Sequence, residues 1–139
     1  MIGGTLFSGI GAPEISSPFI DWQWCAEADP FACAVLKEHF PNTKNYGDVL
    51  EFPHTVEPVN VIVFGSPCQS FSVAGKRAGL DDPRGNLALV GIQVVERVRP
   101  CWVVFENVPR PLVVRQMAGF WNLSRKPGAM RVWVRLPSS

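Results

Sequence analysis

A cysteine in a polar segment is the side chain with the clearest chemical potential. Cys68 follows the apolar run of residues 59–64 and the turn-forming Gly65-Ser66-Pro67. A thiol in such a loop can face a cleft and act as a nucleophile when local charge favours the thiolate. Cysteine is more often a small buried hydrophobe. That reading suits the three cysteines with apolar neighbours, which are Cys25, Cys33 and Cys101.

A carboxyl group, Glu106, follows a second apolar run at residues 103–105. Beside apolar side chains such a group can stay protonated near neutral pH and donate a proton. The alternative is a carboxylate that fixes the neighbouring loop. A nucleophile and an acid after two strands of one sheet would project into one crevice.

A glycine-rich turn and an acidic residue indicate a nucleotide-like ligand. Gly9 and Gly11 follow the first strand-like run, where glycine lets the backbone approach a ligand and present N–H groups. Glu27 follows the second run, where an acid can hold ribose hydroxyls; the alternative is a solvated surface carboxylate. Glu14 stands where the dinucleotide fingerprint GxGxxG needs its third glycine, which disfavours a Rossmann-type dehydrogenase.

Short apolar runs alternate with helical patterns over residues 1–109. The runs lie at residues 5–7, 22–26, 59–64 and 101–105, and the helical patterns begin at Asp29-Pro30 and at Leu87. Nearly continuous apolar strands that alternate with helices are typical of right-handed βαβ units in a buried parallel sheet. The sequence therefore predicts an α/β fold whose ligands bind beyond the carboxyl ends of the strands.

Composition limits the class of protein. The 139 residues are 47% hydrophobic and 18% charged, which predicts one globular domain and excludes a disordered acidic chain. No run reaches the ~18 apolar residues of a membrane span, and no signal peptide is recognisable. The cysteines form no CxxC pair and no zinc-like spacing. We therefore expect reduced thiols, no metal site, no membrane partner and a cytoplasmic location.

The formal net charge of +1 is the sum of two unlike segments. Residues 1–109 hold 7 Lys and Arg against 12 Asp and Glu, whereas residues 110–139 hold 6 basic residues and no acid. The second segment also lacks a clean period and a capping pattern. We expect a domain part at residues 1–109 and a basic tail at residues 110–139 that is disordered or read out of frame.

In order and spacing, these motifs resemble those of the cytosine-5 DNA methyltransferases. The resemblance covers about residues 1–109 and is most specific at Pro67-Cys68-Gln69 and Glu106-Asn107-Val108. It implies the Rossmann-like fold of S-adenosylmethionine-dependent methyltransferases, with an incomplete parallel sheet flanked by helices. It also implies S-adenosylmethionine as methyl donor and double-stranded DNA as substrate. The other matching segments are Phe7-x-Gly9-x-Gly11, Glu27, Gly47-Asp48, residues 65–72, and Arg84-Gly85-Asn86-Leu87.

The resemblance further implies a role for each matching residue. Phe7 would stack on the adenine of the donor, Glu27 would hold its ribose and Asp48 its amino group. Cys68 would add at C6 of a cytosine flipped out of the duplex, while Glu106 protonates or hydrogen-bonds N3. Further donor-pocket residues would be Ser8, Gly9, Ile10, Gly11, Ala12, Val49, Pro67 and Leu87, and nucleic-acid contacts would come from Gln69, Ser72 and Arg84.

The sequence also departs from the family pattern. Ala28 stands where the family often has a larger apolar or aromatic residue, which should weaken packing on the adenine. No Gln-x-Arg-x-Arg segment, long base-reading region or closing C-terminal segment is found, so we expect a truncated chain. Two alternatives stay open, namely an inactive remnant with at most weak donor binding and an RNA cytosine-5 methyltransferase. The DNA target and a restriction endonuclease partner are also left open.

Overall fold

The fold is a parallel sheet with helices on its faces, which confirms the expected α/β class. The computed structural model describes residues 1–65 and 87–106 and the backbone of residues 131–135. Within these residues, six strands pair in parallel in the order β3-β2-β1-β4-β5-β6. In chain order the elements are β1 (Ile2–Leu6), α1 (Ala12–Ser16), β2 (Asp21–Ala26), α2 (Pro30–His39), β3 (Lys44–Asn45), a 3-10 turn (Val49–Glu51), β4 (Val61–Phe64), α3 (Leu87–Val98), β5 (Trp102–Glu106) and β6 (Arg131–Arg135).

The strand order reverses at the centre of the sheet. From β1 the chain first builds outward on one side, through β2 and β3, and then returns to add β4, β5 and β6 on the other side. Such a reversal leaves a crevice at the carboxyl ends of the two central strands, because the connections leave them in opposite directions. Here that crevice lies beyond β1 and β4.

Local sequence sets both ends of α2. Asp29 caps the helix by accepting a hydrogen bond from Ala32 N at 2.9 Å, and Pro30 occupies the first turn, where its missing N–H has no cost. The helix ends at His39, before Pro41, as the sequence predicts. The predicted helix from Leu87 to Val98 is likewise confirmed as α3.

The main core lies between α3 and one face of the sheet. Val94 and Val95 of α3 are fully buried, as is the Phe64–Phe105 ring pair, whose centroids lie 4.7 Å apart. Burying one such side chain contributes about 1.5–3 kcal/mol, so this layer dominates the stability of the fold. Trp24 extends the core toward β2, where its Nε1 donates to Glu57 O at 3.0 Å.

The basic segment contributes a strand that we did not predict. Residues 131–135 form β6, which pairs with β5 from Trp102↔Arg131 to Glu106↔Arg135. The signal was the β-branched and aromatic core of Arg-Val-Trp-Val-Arg, which favours a strand. The proposed division of the chain at residue 109 stays a prediction.

The helices of the described residues are short. Within that part of the chain, none combines the length and the apolar character that a bilayer span requires.

The backbone of Gly4 in β1 lies directly against the indole ring of Trp24 in β2. A Cβ atom on Gly4 would lie 2.5 Å from two carbons of the Trp24 indole ring. Because the ring is rigid and fully buried, we expect Gly4→Ala to lower the free energy of unfolding by about 1–3 kcal/mol. Urea unfolding followed by tryptophan fluorescence measures this change. Ile2→Ala, at a partly exposed position of the same strand, should cost clearly less, and equal stability of Gly4→Ala and the unmodified chain would contradict the contact.

Candidate active site

The register of the sheet brings the ends of four strands into one line. Leu6 of β1 pairs with Ala26 of β2 and with Phe64 of β4, which pairs in turn with Phe105 of β5. The next residue of each strand therefore emerges at the same edge of the sheet. These next residues are Phe7, Glu27, Gly65 and Glu106, which the structure brings together at one edge of the sheet.

Glu27 braces two backbone segments at this edge. Its Oε2 accepts from Gly9 N at 2.7 Å, and its Oε1 accepts from Ala28 N at 2.9 Å and Asp29 N at 2.8 Å. The side chain is half-buried. The carboxylate of Glu27 is thus bound by three backbone N–H groups, and its role toward a ligand stays a prediction. Glu27 ties the glycine turn after β1 to the start of α2.

A cavity of about 570 Å³ opens beside Glu27, within the roughly 300–1,000 Å³ of small-molecule sites. Its lining includes the aromatic residue Phe7 and the acidic residues Glu27 and Asp48. An aromatic face and two hydrogen-bond acceptors suit an adenosine group. Among the described residues, five of the predicted donor-binding residues line it; the described lining is Phe7, Ala26, Glu27, Ala28, Gly47, Asp48, Val49, Leu50, Glu51 and Leu87.

Asp48 and its neighbours enter this cavity from the loop after β3. Gly47 has a φ of +79°, a conformation that glycine adopts without strain. Asp48 then caps the 3-10 turn, with Oδ1 accepting from Leu50 N at 2.9 Å. The cap holds Asp48 and Val49 at the cavity wall.

Phe7 has a strained backbone at the mouth of the cavity. Its φ is +56°, a left-handed conformation that costs a non-glycine residue about 1–3 kcal/mol and is concentrated at ligand sites. Its N–H donates to Ala26 O at 2.8 Å, which holds the turn against β2. The ring packs over Gly91 of α3, where a Cβ atom would lie 2.9 Å from Phe64 and 3.5 Å from Phe7.

Gly91 supports the ring of Phe7, which lines the site, and the sequence analysis did not predict this contact. It lies within α3 on the buried face. A glycine inside a helix costs stability, and this cost was the available signal that something must approach the helix closely.

The two glycines of the first turn are required for different structural reasons. Gly9 and Gly11 both have positive φ, at +56° and +88°. A Cβ atom on Gly11 would lie 2.6 Å from Phe40, so Gly11 lets α2 pack against the turn. A Cβ atom on Gly9 would meet no atom of the described residues within 4 Å. Gly9 is therefore needed for its backbone conformation, and its surroundings are open to a ligand.

The other residues of this turn that we predicted to bind the donor are Ser8, Ile10 and Ala12, and they differ in their surroundings. Ser8 and Ala12 line a larger cavity of about 940 Å³, which Phe7 also lines. Ile10 is 52% exposed and lines neither of these cavities among the described residues.

Glu106 lies against Gly65 at the ends of β5 and β4. A Cβ atom on Gly65 would lie 3.0 Å from Glu106 O and 3.1 Å from Glu106 Oε2. Both residues also line the larger cavity. Gly65 thus allows the carboxyl group of Glu106 to approach the backbone that leads, three residues later, to Cys68.

The other cysteines differ in their surroundings. Burial, with the nearby charge of Glu14 as the next cause, raises the pKa of the Cys25 thiol to about 12, so it is protonated at neutral pH. Cys33 donates to Glu27 O at 3.1 Å, and Cys101 is exposed at the opposite end of β5. The predicted site residues Pro67, Cys68, Gln69, Ser72 and Arg84 lie outside the described residues, and their roles stay predictions.

Three relatives resemble this chain in sequence. The "DNA N-6-adenine-methyltransferase" of Escherichia phage P1 is 37% identical over 122 residues, which cover 76% of this chain and 16% of that protein. The "Type II methyltransferase M.AquIA" of Picosynechococcus is 37% identical over 116 residues, covering 75% and 47%. The "Type II methyltransferase M2.BsuMI" of Bacillus subtilis is 36% identical over 112 residues, covering 76% and 28%. The chain thus spans less than half the length of each.

The family match agrees with the placement of the site. The family described as C-5 cytosine-specific DNA methylase matches residues 3–117, past the limit near residue 109 to which the motifs extend. The match includes every strand end described above and the segment that carries Cys68. With most of its 139 residues matched, the chain belongs to the C-5 cytosine-specific DNA methylase family.

Proposed function

We propose that this chain carries the donor-binding and catalytic part of an enzyme that methylates C5 of cytosine in double-stranded DNA. The alignment of Phe7, Glu27, Gly65 and Glu106 at one sheet edge carries the proposal. It puts a cavity of suitable size next to the strand ends from which the catalytic segments leave. The family match supports a DNA substrate, and the names of two relatives, which call them type II methyltransferases, support a methyl-transfer reaction. A restriction endonuclease partner stays a prediction.

The cavity beside Glu27 would hold the donor. Phe7 would stack on the adenine, Glu27 would accept hydrogen bonds from the ribose hydroxyls, and Asp48 would accept from the adenine amino group; all three residues line this cavity. Ala28 leaves room on the same wall, in keeping with weaker packing on the base. Bound S-adenosylmethionine would supply the methyl group.

The reaction itself is assigned to Cys68 and Glu106. C5 of cytosine is a weak nucleophile, so the Cys68 thiolate first adds at C6 while Glu106 protonates or hydrogen-bonds N3. This addition gives C5 the character of an enamine carbon, which makes it nucleophilic enough to accept the methyl group. Loss of the C5 proton and departure of Cys68 restore the aromatic ring. Because the base is inaccessible inside a duplex, it must be flipped out, and Gln69, Ser72 and Arg84 are the proposed contacts to DNA.

A second candidate is methylation at N6 of adenine, favoured by the name of the phage P1 relative. An exocyclic amine can attack a methyl donor directly and requires no covalent adduct with a thiol. The dependence on Cys68 therefore separates the two reactions. An RNA substrate and an inactive remnant are further outcomes of the same test.

We expect a covalent adduct when the chain is mixed with S-adenosylmethionine and a duplex containing 5-fluorocytosine, because fluorine at C5 blocks release of the enzyme. Denaturing electrophoresis and mass spectrometry measure it. Cys68→Ser should abolish the adduct, whereas Cys101→Ser, at an exposed cysteine distant from the site, should retain it.

The nucleic acid and the product separate the alternatives. 5-Methylcytosine in DNA supports the proposal, N6-methyladenine supports the second candidate, and reaction with RNA alone supports an RNA enzyme. Donor binding without an adduct on either nucleic acid would make the remnant the better interpretation.

Donor affinity tests the role of Glu27 separately from catalysis. We expect Glu27→Gln to raise the Kd for S-adenosylmethionine about tenfold or more, because an amide is a poorer acceptor and its N–H groups face backbone donors. Isothermal titration calorimetry measures this Kd. Glu38→Gln, at an exposed site on α2, is the matched control. Equal Kd values for Glu27→Gln and the control would remove Glu27 from the donor site.

A substitution at Gly65 tests whether the reaction depends on the position of the Glu106 carboxyl group. Gly65→Ala would push the Glu106 carboxyl group away by a few tenths of an ångström, so we expect several-fold slower adduct formation with an unchanged donor Kd. Rapid-quench kinetics and calorimetry measure the two quantities. An unchanged rate would show that the Gly65–Glu106 contact has no part in the reaction.

A further inference from the structure

A row of buried polar groups lies beneath the glycine turn and takes no part in the reaction proposed above. Thr5 of β1 is fully buried, Ser8 of the turn is buried, and Glu14 of α1 is 2% exposed. Thr5 Oγ1 donates to Glu14 Oε1 at 2.6 Å and lies 2.7 Å from Ser8 Oγ. We call these three residues the buried polar chain.

The hydroxyl hydrogens decide the direction of the buried polar chain. A hydroxyl group has one hydrogen, and Thr5 uses it on Glu14. Ser8 Oγ must therefore donate to Thr5 Oγ1, so the hydrogen bonds run from Ser8 through Thr5 to Glu14. Hydrogen bonds in a low-dielectric interior polarise one another, so loss of the final acceptor weakens both.

Stability alone does not account for Glu14. Its Oε2 is buried and has no hydrogen-bond partner among the described residues. Burial raises the pKa of its carboxyl group above the usual range, and the hydrogen bond from Thr5 opposes that shift. An unsatisfied buried carboxyl oxygen costs stability, which an apolar side chain of similar length would avoid.

The buried polar chain ends on the turn that faces the proposed donor site. Glu14 lines neither the 570 Å³ nor the 940 Å³ cavity, whereas Ser8 lines the larger one. Gly9, the next residue, donates its N–H to Glu27. Two carboxyl groups thus hold the turn, Glu27 from the side of the cleft and Glu14 from beneath.

We propose that Glu14 is a positioning residue that holds residues 8–11 in the shape required to bind the methyl donor. This inference rests on the proposed donor site. Glu14 acts through Thr5 and Ser8 and has no contact with the donor. The requirement is for a hydrogen-bond acceptor at this position, so a neutral acceptor should serve nearly as well as a carboxyl group.

Two variants of Glu14 test whether donor binding requires a hydrogen-bond acceptor at this position or only a side chain of similar volume. Glu14→Gln keeps a carbonyl oxygen for Thr5, and Glu14→Met keeps the side-chain length without an acceptor. We expect the Kd for S-adenosylmethionine to rise at least tenfold in Glu14→Met and to stay within threefold in Glu14→Gln. Glu38→Met, on the exposed face of α2, is the matched control and should leave the Kd unchanged.

A second pair of variants covers the case in which Glu14→Met does not fold. Thr5→Val removes the hydroxyl group at constant shape, and Thr5→Ser retains it, so the first should weaken donor binding and the second should not. The double variant Thr5→Val with Glu14→Met should have a Kd for S-adenosylmethionine no higher than the higher of the two single-variant values. Both changes break the same hydrogen-bond chain, so their effects should not add.

Hydrogen exchange measured without donor tests this inference independently of the proposed function. Without donor, backbone amides of residues 8–11 should exchange faster in Glu14→Met and Thr5→Val than in Glu14→Gln and Thr5→Ser. If the unmodified chain binds no donor, the proposed function fails, and exchange still decides whether Glu14 holds the turn. Folded Glu14→Met or Thr5→Val with unchanged exchange would overturn the inference, as would an unchanged Kd in a donor-binding chain.

Discussion

The common register of four parallel strands is the constraint on which the rest of the site depends. Because Leu6, Ala26, Phe64 and Phe105 lie in one row, each strand releases its next residue at the same edge. A shift of one residue in any pair would turn that strand's side chains to the opposite face. The apolar layer between the sheet and α3 opposes such a shift, since it would expose buried valine and phenylalanine side chains. The core thus sets the geometry of the site.

Close backbone approach is the second requirement, and glycine supplies it at three places with different partners. Gly91 lets Phe64 and Phe7 pack against α3, Gly65 admits the Glu106 carboxyl group, and Gly11 admits the ring of Phe40, which follows α2. Each removes a Cβ atom where two elements converge near the cleft. The strained backbone of Phe7 is held by the hydrogen bond to Ala26 and by packing over Gly91. The site is therefore organised by packing as much as by hydrogen bonds.

Much of the fold was predictable because its signals are local. The Asp29 cap and the following proline defined α2, the apolar stripe defined α3, and nearly continuous apolar runs defined β4 and β5. The short elements were missed, since two or three residues of β3 or of the 3-10 turn have no periodicity of their own. β6 was missed because strand propensity is weak evidence unless a neighbouring edge is known to be available.

The sequence by itself determined which residue types carry the chemistry and in what order they follow the strands, because motifs and helix caps depend on neighbours along the chain. Tertiary structure alone decided how those residues are used. The backbone bonds of Glu27, the contact of Gly65 with Glu106 and the burial of Glu14 beneath the turn all join elements distant in sequence. Glu14 was, in the sequence, merely the residue that interrupts a glycine fingerprint. Its burial against Thr5 is visible once α1 folds over β1, since burial depends on what lies above a side chain in space.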